Sequence, residues 1–416
     1  MSTSEVSSKP YDLIVFGATS FVGQILSNYL VETIGVNGEI SWAIASRSES
    51  KLAILKESLG DAASQLPVLI ADSHDEASLQ TLCSQTRVII STVGPYALYG
   101  ELLIKACAES GTDYADLTGE AHWIGMMKDK YNQAAEASGA RIVNCCGFDS
   151  IPSDMGVFAM QQRAQAQFGH PLPHAKLRVK AMKGGASGGT IASMIEALKA
   201  AKADPKMRKK MGNPYLLCGS DHQYSIRAKS VSGPQFDPDF NCWTAPFVME
   251  AINSRVVLHS NALLDMAYGR DFSYSEGMLT GKGLKGRIGA LMSTVAFGML
   301  GVGLYFSPTR ALLEKFVLPA PGEGPSPEAQ LNGYFDVRVH GRDDQGNQLT
   351  VKVTGDRDPG YGSTAKMLGQ AGLCLALDIK KEDRAGGFLT PSVAMGDALL
   401  KRLEAHSGLA FVTCDL

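Results

Sequence analysis

The sequence has no Cys-x-x-Cys pair among its eight cysteines, and it has no basic stripe interleaved with aromatic residues. The cysteines are therefore expected to be reduced thiols in a cytoplasmic protein, with adjacent Cys145 and Cys146 as buried small side chains. A net charge of −3 adds no general attraction to nucleic acid, so no nucleic-acid partner is expected. The first nine residues lack an apolar core, so no secretory signal is predicted. No metal site is predicted either.

The length and composition indicate a globular chain of more than one domain. With 416 residues, 45% of them hydrophobic and 19% charged, the chain is too long for one ordinary core. We predict three segments: a dinucleotide-binding domain at 1–150, a second α+β domain at 151–385, and a C-terminal helix at 386–416 that returns to the first domain.

Strand and helix patterns alternate regularly through the first 150 residues, which predicts parallel βαβ units in a doubly wound α/β sheet. Such a sheet binds its ligand at the carboxyl ends of the strands. The expected strands are 12–16, 40–45, 67–71, 87–92, 113–116 and 141–145. The expected helices are 21–33, 49–59, 75–84, 99–110 and 123–138.

A glycine turn between the first strand and the first helix has the pattern that holds a dinucleotide pyrophosphate. Gly17 allows a sharp turn and Gly23 allows the helix to lie close to its strand. Ser20 stands where a middle glycine would allow the closest approach to phosphate, and its hydroxyl could bond the phosphate instead. The expected cofactor-binding residues of this turn are Gly17, Ala18, Thr19, Ser20, Phe21 and Gly23.

The end of the second strand favours NADP over NAD. An NAD site usually has an acidic residue here, whereas an NADP site has a cation for the 2′-phosphate. The chain has Arg47 at this position, with Ser46 and Ser48 as hydrogen-bond donors beside it. The alternative is that Arg47 is only a solvated loop charge.

Polar turns also follow the later strands. Asp72 follows the third strand, where side chains commonly meet the adenine, and Asp116 and Thr118 follow the fifth, where they could simply cap the next helix. The turn after the fourth strand is expected to contact the nicotinamide half of the cofactor through Thr92, Val93, Gly94 and Tyr96.

Seven motifs together resemble the saccharopine dehydrogenase-like oxidoreductases, in the branch that contains the trans-acting enoyl reductases. They are GATSFVG, ASRS, TVGPYALYGE, YADLTGE, CGFDSIPSDMG, GGT and PGEGPS, and the likeness covers nearly the whole chain. The resemblance implies an NADP-binding Rossmann domain joined to a second α+β domain, with activity in lipid biosynthesis. Many relatives have glycine where this chain has Ser20, so the chain departs from the family pattern at the position of closest approach to phosphate.

The expected activity is NADP(H)-dependent reduction of an enoyl or related carbonyl-conjugated group on a lipid-like substrate. Tyr96, Tyr99 and Asp149 are the catalytic candidates, although none belongs to a Tyr-x-x-x-Lys pair. A second hypothesis is saccharopine-type imine reduction, which would need cations such as Arg178, Lys180 and Lys183 to bind substrate carboxylates. A third is a non-catalytic NADP-binding protein that docks on lipid surfaces.

An uncharged stretch of nineteen residues, 288–306, is bracketed by Arg287 and Arg310. Three alternatives remain open for it: a buried hairpin or a contact between copies, as in a homodimer; a segment that touches a membrane or lipid surface peripherally; and a true membrane span. A span would put 1–287 and 311–416 on opposite sides, although the fold needs them together.

Overall fold

The first strand forms because Leu13–Phe16 is a short apolar run that ends at a glycine turn, and five similar strands follow it. The structure, a computed structural model, describes residues 9–185, 188–316 and 323–416. The first six strands are β1 (Tyr11–Phe16), β2 (Trp42–Ser46), β3 (Val68–Ile70), β4 (Thr86–Ser91), β5 (Asp113–Asp116) and β6 (Arg141–Val143). The helices between them are α1 (Phe21–Ile34), α2 (Glu49–Ser58), α3 (Glu76–Ser84), α4 (Tyr96–Tyr99), α5 (Glu101–Ser110) and α6 (Ala121–Ser138).

The second half of the chain is more mixed. Its strands are β7 (His174–Lys183), β8 (Gln235–Asp237), β9 (Cys242–Ala245), β10 (Ser273–Gly281), β11 (Tyr334–Arg342), β12 (Gln348–Gly355), β13 (Gly387–Leu389) and β14 (Leu409–Thr413). Its helices are α7 (Ile151–Phe168), α8 (Gly188–Ala203), α9 (Pro205–Met211), α10 (Glu250–Leu263), α11 (Gly283–Tyr305), α12 (Ser307–Phe316), α13 (Pro327–Leu331), α14 (Thr364–Leu377) and α15 (Pro391–His406).

The described strands form two sheets. The first has the order β13-β6-β5-β4-β1-β2-β3, and its pairs are parallel. This arrangement confirms the predicted Rossmann-type doubly wound sheet. The second has the order β14-β12-β11-β7-β10-β9-β8 and is mixed, since β7 and β10 are parallel while its other pairs are antiparallel. The predicted second α+β domain is therefore confirmed.

Alternate side chains of the first sheet face two separate cores. Leu13 and Val15 pack with α1 and α14, whereas Ile14 and Phe16 pack with α3, α5 and α6. Because helices cover both faces of this parallel sheet, side chains on both sides of its strands are buried, which explains the continuous apolar runs.

The C-terminal region is divided between the two sheets. Helix α14 packs on β4, β5 and β1 of the first sheet, and β13 extends that sheet at its edge. Strand β14 then pairs with β12 of the second sheet. The return to the first sheet thus begins at α14, earlier than the predicted boundary at residue 385.

The uncharged stretch is a mostly exposed single helix, so the buried-hairpin interpretation is wrong, while a contact between copies stays a prediction. Residues 288–305 belong to the single helix α11, and each residue from Val295 to Val302 is exposed. Four glycines in the stretch lower its helix propensity, by about 1 kcal/mol each. The helix forms nonetheless, and its N-terminal turns pack on β9 and β10 while its C-terminal turns contact α8 and α12.

Candidate functional site

The turn after β1 is built by two glycines for different steric reasons. Gly17 has φ +85°, and a methyl group on it would lie 2.6 Å from Val93 Cγ2. A methyl group on Gly23 would lie 2.3 Å from the Gly17 carbonyl oxygen, so α1 can approach the strand only without a side chain there. The N-terminus of α1 is consequently presented at the carboxyl edge of the sheet, where its unpaired N–H groups suit a phosphate.

Ser20 has a structural role at this turn. It is the N-cap of α1, because its Oγ accepts a hydrogen bond of 3.0 Å from the Gly23 N–H. The same hydroxyl donates to Thr92 Oγ1 at 3.0 Å, and Thr92 donates to the Gly17 carbonyl at 2.8 Å. The serine therefore ties the glycine turn to the loop after β4.

The end of β2 presents one exposed cation beside polar groups. Arg47 is exposed, and its charge contributes to lowering the pKa of Asp72, after the His74 N–H as the main cause. Ser46 Oγ lies 2.9 Å from Thr19 Oγ1, which joins β2 to the glycine turn. Ser48 instead caps α2, accepting from the Lys51 N–H at 3.4 Å.

The loop after β4 is held by Glu120, a residue that the sequence argument did not select. The Glu120 carboxylate accepts the N–H groups of Tyr96 and Ala97, both at 2.9 Å, and the Ser193 hydroxyl at 2.8 Å. It thus caps the short helix α4 and joins the first domain to α8. Gly94 is exposed, and the nearest atom to a methyl group there would be in the Tyr96 ring, at 3.5 Å. A dinucleotide can therefore approach this loop closely.

The two tyrosine candidates lie in different places. The Tyr96 hydroxyl donates to the Ser91 carbonyl at 2.9 Å, and burial raises its pKa well above the usual value, so it is held in the protein interior. Tyr99 is half-buried, with its ring edge-on to His74 at 5.5 Å, near the end of β3. The catalytic roles of both residues stay predictions, and neither geometry favours proton donation to a substrate at the nicotinamide.

Asp149 lies in the turn after β6 and has the properties of an acid at neutral pH. It is half-buried beside Gly119, where a methyl group would come within 3.3 Å of its Oδ2. Burial raises its pKa to about 7, with a further contribution from the negative charge of Asp116. Among the described residues, no hydrogen-bond donor lowers that pKa. Both carboxyl oxygens of Asp149 therefore stay available for a further hydrogen bond.

Asp116, at the carboxyl end of β5, differs from Asp149 because several hydrogen-bond donors surround its carboxylate. Its carboxylate accepts from Tyr114, Asn144 and the backbone of Thr118 and Cys145. Burial still raises its pKa to about 6. Asp116 is the structural carboxylate that holds the loop together, and its charge makes ionisation of Asp149 less favourable.

The carboxyl edge of the first sheet thus combines a glycine turn at a helix N-terminus, an exposed cation after β2 and an open glycine loop after β4. These features fit a phosphorylated dinucleotide: the turn for pyrophosphate, Arg47 for the 2′-phosphate and Gly94 for the nicotinamide half. The fold and the site together define a two-domain, NADP-dependent oxidoreductase.

Comparison with known proteins agrees with this class. Residues 13–143 match the family model described as the saccharopine dehydrogenase NADP-binding domain. The chain is 39% identical over 418 residues to a Mycobacterium tuberculosis protein provisionally named a trans-acting enoyl reductase, covering 98% of both chains. It is 38% identical to the trans-acting enoyl reductase of Mycobacterium ulcerans, covering 95% of this chain and 96% of the relative.

A solved structure has the same fold at low sequence identity. Apo saccharopine dehydrogenase (L-Glu forming) from Saccharomyces cerevisiae matches with a TM-score of 0.53 and 13% identity, covering 97% of this chain and 99% of that one. The chain belongs to the saccharopine dehydrogenase-like family, together with the trans-acting enoyl reductases, and NADP is its cofactor.

Proposed function

We propose that the protein reduces an enoyl or related carbonyl-conjugated group on a lipid-like substrate, with Asp149 as the proton donor. The observation that carries this proposal is the half-buried Asp149 carboxyl group, whose pKa is about 7 and which no described donor occupies. Groups with shifted pKa values in clefts are characteristic of acid–base sites. The names of the mycobacterial relatives favour an enoyl substrate.

In this reaction the bound NADPH supplies the hydride. Asp149 in its acid form delivers a proton to the α-carbon of the substrate, and the Asp116 charge favours that acid form. The other described groups hold the cofactor and the loops: Ser20 and Thr92 fix the glycine turn, and Glu120 fixes the loop after β4.

The test measures NADPH oxidation with a long-chain trans-2-enoyl coenzyme A thioester, with the corresponding carbonyl compound, and with an imine substrate. Asp149→Asn should lower kcat by about 10²- to 10⁴-fold, the usual contribution of a proton donor. Its affinity for NADPH should stay unchanged. Because the acid form is needed, kcat of the natural protein should fall as the pH rises above about 7. An unchanged kcat in the Asn variant would refute this role.

The imine alternative has less support in the geometry. Arg178, one of the cations that an amino-acid substrate would need, is 3% exposed and its Nε lies 2.7 Å from Asp237. The other two cations named for this alternative, Lys180 and Lys183, are exposed to solvent. Turnover of imines but not enoyl thioesters would favour this alternative, and tight NADPH binding without any turnover would favour a non-catalytic NADP-binding protein.

We also propose that α11 touches a lipid surface. By length and composition the helix could cross a membrane. Its most apolar stretch of 18 residues has a mean hydropathy of 1.7, and only 11% of that stretch is buried. However, β10 before it and β11 after it both pair with β7, so the chain returns to the same sheet. The helix is therefore proposed to lie at the interface rather than to span it. The cytoplasmic location of the protein stays a prediction.

Flotation with phosphatidylcholine vesicles tests this contact. Burying one large apolar side chain is worth about 1.5–3 kcal/mol. The double substitution Val295→Ser with Met299→Ser should therefore weaken binding of the protein to the vesicles at least tenfold. Ile54→Ser is the matched control, because Ile54 is 65% exposed on α2. If the natural protein stays unbound and sedimentation shows a dimer that the double variant loses, α11 is instead a contact between two copies.

A further inference from the structure

The turn that carries Asp149 is held at the residues on either side of it. The Phe148 N–H donates to Thr364 Oγ1 of α14 at 3.0 Å. On the other side, the Ser150 hydroxyl donates to Asn253 Oδ1 of α10 at 3.1 Å. By contrast, the part of the chain that the structure describes offers no hydrogen-bond donor to the Asp149 carboxyl group itself. The direction of that group is therefore set through its neighbours.

Ser150 makes this contact instead of the one that its position favours. It stands at the N-cap of α7, where a serine side chain usually accepts a backbone N–H of the first helical turn. No such bond forms here, and the fully buried hydroxyl is directed to Asn253, while it also interacts with the Cys145 thiol. Ser150 thus joins the turn after β6 to α10 rather than capping its own helix.

The side-chain amide of Asn253 is oriented by a buried carboxylate at its other end. Asn253 Nδ2 donates to Glu276 Oε2 at 2.8 Å. Because an ionised carboxylate can only accept, Asn253 Oδ1 must face Ser150, and the serine hydroxyl must be the donor. Asn253 is 2% exposed and Glu276 is 0% exposed. The direction of each hydrogen bond between Glu276 and the Asp149 turn is therefore determined.

Glu276 is fixed by two further donors. The Tyr274 hydroxyl donates to Glu276 Oε1 at 2.6 Å, and the Ser153 hydroxyl donates to the same oxygen at 2.7 Å. Burial raises the pKa of Glu276 to about 7, although its three hydrogen-bond donors favour the charged form. Tyr274 and Glu276 both belong to β10 of the second sheet. A buried polar group with all its partners in place is rigid, so Glu276 is a fixed anchor in the second domain.

We propose that Ser150, Asn253 and Glu276 are positioning residues, through which the second domain aims the Asp149 carboxyl group at the substrate. The inference rests on the proposed role of Asp149 as the proton donor. A proton donor has to lie within hydrogen-bond reach of the atom that it protonates, and a displacement of about 1 Å can lower the rate about a hundredfold. Asp149 obtains this precision from the residues beside it, since its own carboxyl group is not held.

NADPH oxidation, with whichever of the three test compounds the natural protein reduces, measures the effect. Ser150→Ala and Asn253→Leu should each lower kcat by about ten- to a hundredfold and leave KM and the affinity for NADPH unchanged. Ser150→Ala leaves α10 intact, so it gives the answer even where Asn253→Leu does not fold. Ser254→Ala is the matched control and should keep the natural kcat. It removes a buried hydroxyl next to Asn253 that donates to the Glu250 carbonyl of the same helix.

The conservative variant Glu276→Gln tests whether position or charge matters. The glutamine oxygen can still accept from Tyr274 and Ser153, and a reversed Asn253 amide can accept from the glutamine and donate to Ser150. The chain of hydrogen bonds is then kept, so kcat should stay close to that of the natural protein. A loss as large as that of Asn253→Leu would overturn the positioning role, because it would show that the charge of Glu276 is needed.

Combination with Asp149→Asn separates positioning from a general structural role. If the three residues act through Asp149, adding Ser150→Ala to Asp149→Asn should leave kcat where Asp149→Asn puts it, since no acid is left to aim. A residue that only stabilises the fold would lower kcat by the same factor in both backgrounds.

The outcomes also separate this inference from the proposed function. The positioning role is overturned, and the proton donor stands, in two cases. In the first, Asp149→Asn lowers kcat but Ser150→Ala does not; in the second, Ser150→Ala causes an equal loss with and without Asp149→Asn. An unchanged kcat in Asp149→Asn, or no turnover of any of the three compounds, would overturn both.

Discussion

Replacing Arg47 with alanine should convert a preference for NADPH into near equality between NADPH and NADH. Arg47 is the exposed cation at the end of β2, and NADH lacks the 2′-phosphate that it would contact. A hydrogen bond to a charged group is worth about 1.5–3 kcal/mol, and exposure places this one at the lower end. Loss of about 1.5 kcal/mol predicts an NADPH affinity that is weaker by about tenfold.

Intrinsic fluorescence is a suitable readout for this experiment. The Trp123 ring centroid lies 5.6 Å from that of Tyr96, next to the loop that should contact the nicotinamide half. Titrating the natural protein, Arg47→Ala and Arg384→Ala with each cofactor gives the affinities; Arg384 is an exposed arginine elsewhere on the surface. Added salt should weaken NADPH binding more than NADH binding, because the contact is partly screened.

Two results would refute the reasoning about Arg47. The variant could lose affinity for NADPH and NADH equally, which would give the residue a role in folding or pyrophosphate binding. Alternatively, its preference for NADPH could stay unchanged, which would make Arg47 a solvated loop charge.

Three further predictions concern the same site. Ser20→Ala should destabilise the protein by about 1 kcal/mol in chemical denaturation because α1 loses its N-cap. Ser20→Gly should lower the stability by only a few tenths of a kcal/mol and should keep the affinity for NADPH. A tenfold loss of NADPH affinity in Ser20→Gly would mean that the hydroxyl contacts phosphate. Gly23→Ala should abolish NADPH binding, since its methyl group would lie 2.3 Å from the Gly17 oxygen; unchanged titrations would contradict this. Asp149 has a raised pKa, so its contribution to stability falls as the pH rises from about 4 to about 7. Asp149→Asn should therefore be more stable than the natural protein at pH 8, by up to about 4 kcal/mol, and an equal melting temperature would count against the shifted pKa.

The alternation of the first domain could be predicted from sequence because its signals are local. Five of the first six strands contain a short apolar run, and Gly111 and Gly139 end their helices with φ of +72° and +77°, as left-handed caps do. The predicted helix 99–110 is divided in the structure, since Gly100 separates α4 from α5. A methyl group on Gly100 would lie 2.5 Å from Trp123, a constraint between distant residues that no local pattern contains.

The parts that could not be predicted depend on such long-range contacts. Glu120 belongs to the YADLTGE motif, but its role in holding the Tyr96 loop becomes visible only when β4 and β5 lie side by side. Residues 203–242 have no clear hydrophobic period in the sequence, yet they supply β8, whose Asp237 pairs with Lys176 and Arg178 on β7. A buried ion network of this kind leaves no periodic signal in the sequence.

The return of α14 and β13 to the first sheet sets an order for folding during synthesis. Gly372 of α14 lies against Ile90, so this helix covers a face of β4 that would otherwise be exposed to water. The edge strand at Gly387–Leu389 completes the sheet only after residues up to 389 have left the ribosome. The cofactor domain therefore cannot mature as an independent N-terminal unit. We expect the two sheets to unfold in one cooperative transition, and a chain that stops before residue 364 to leave the nascent first domain dependent on chaperones.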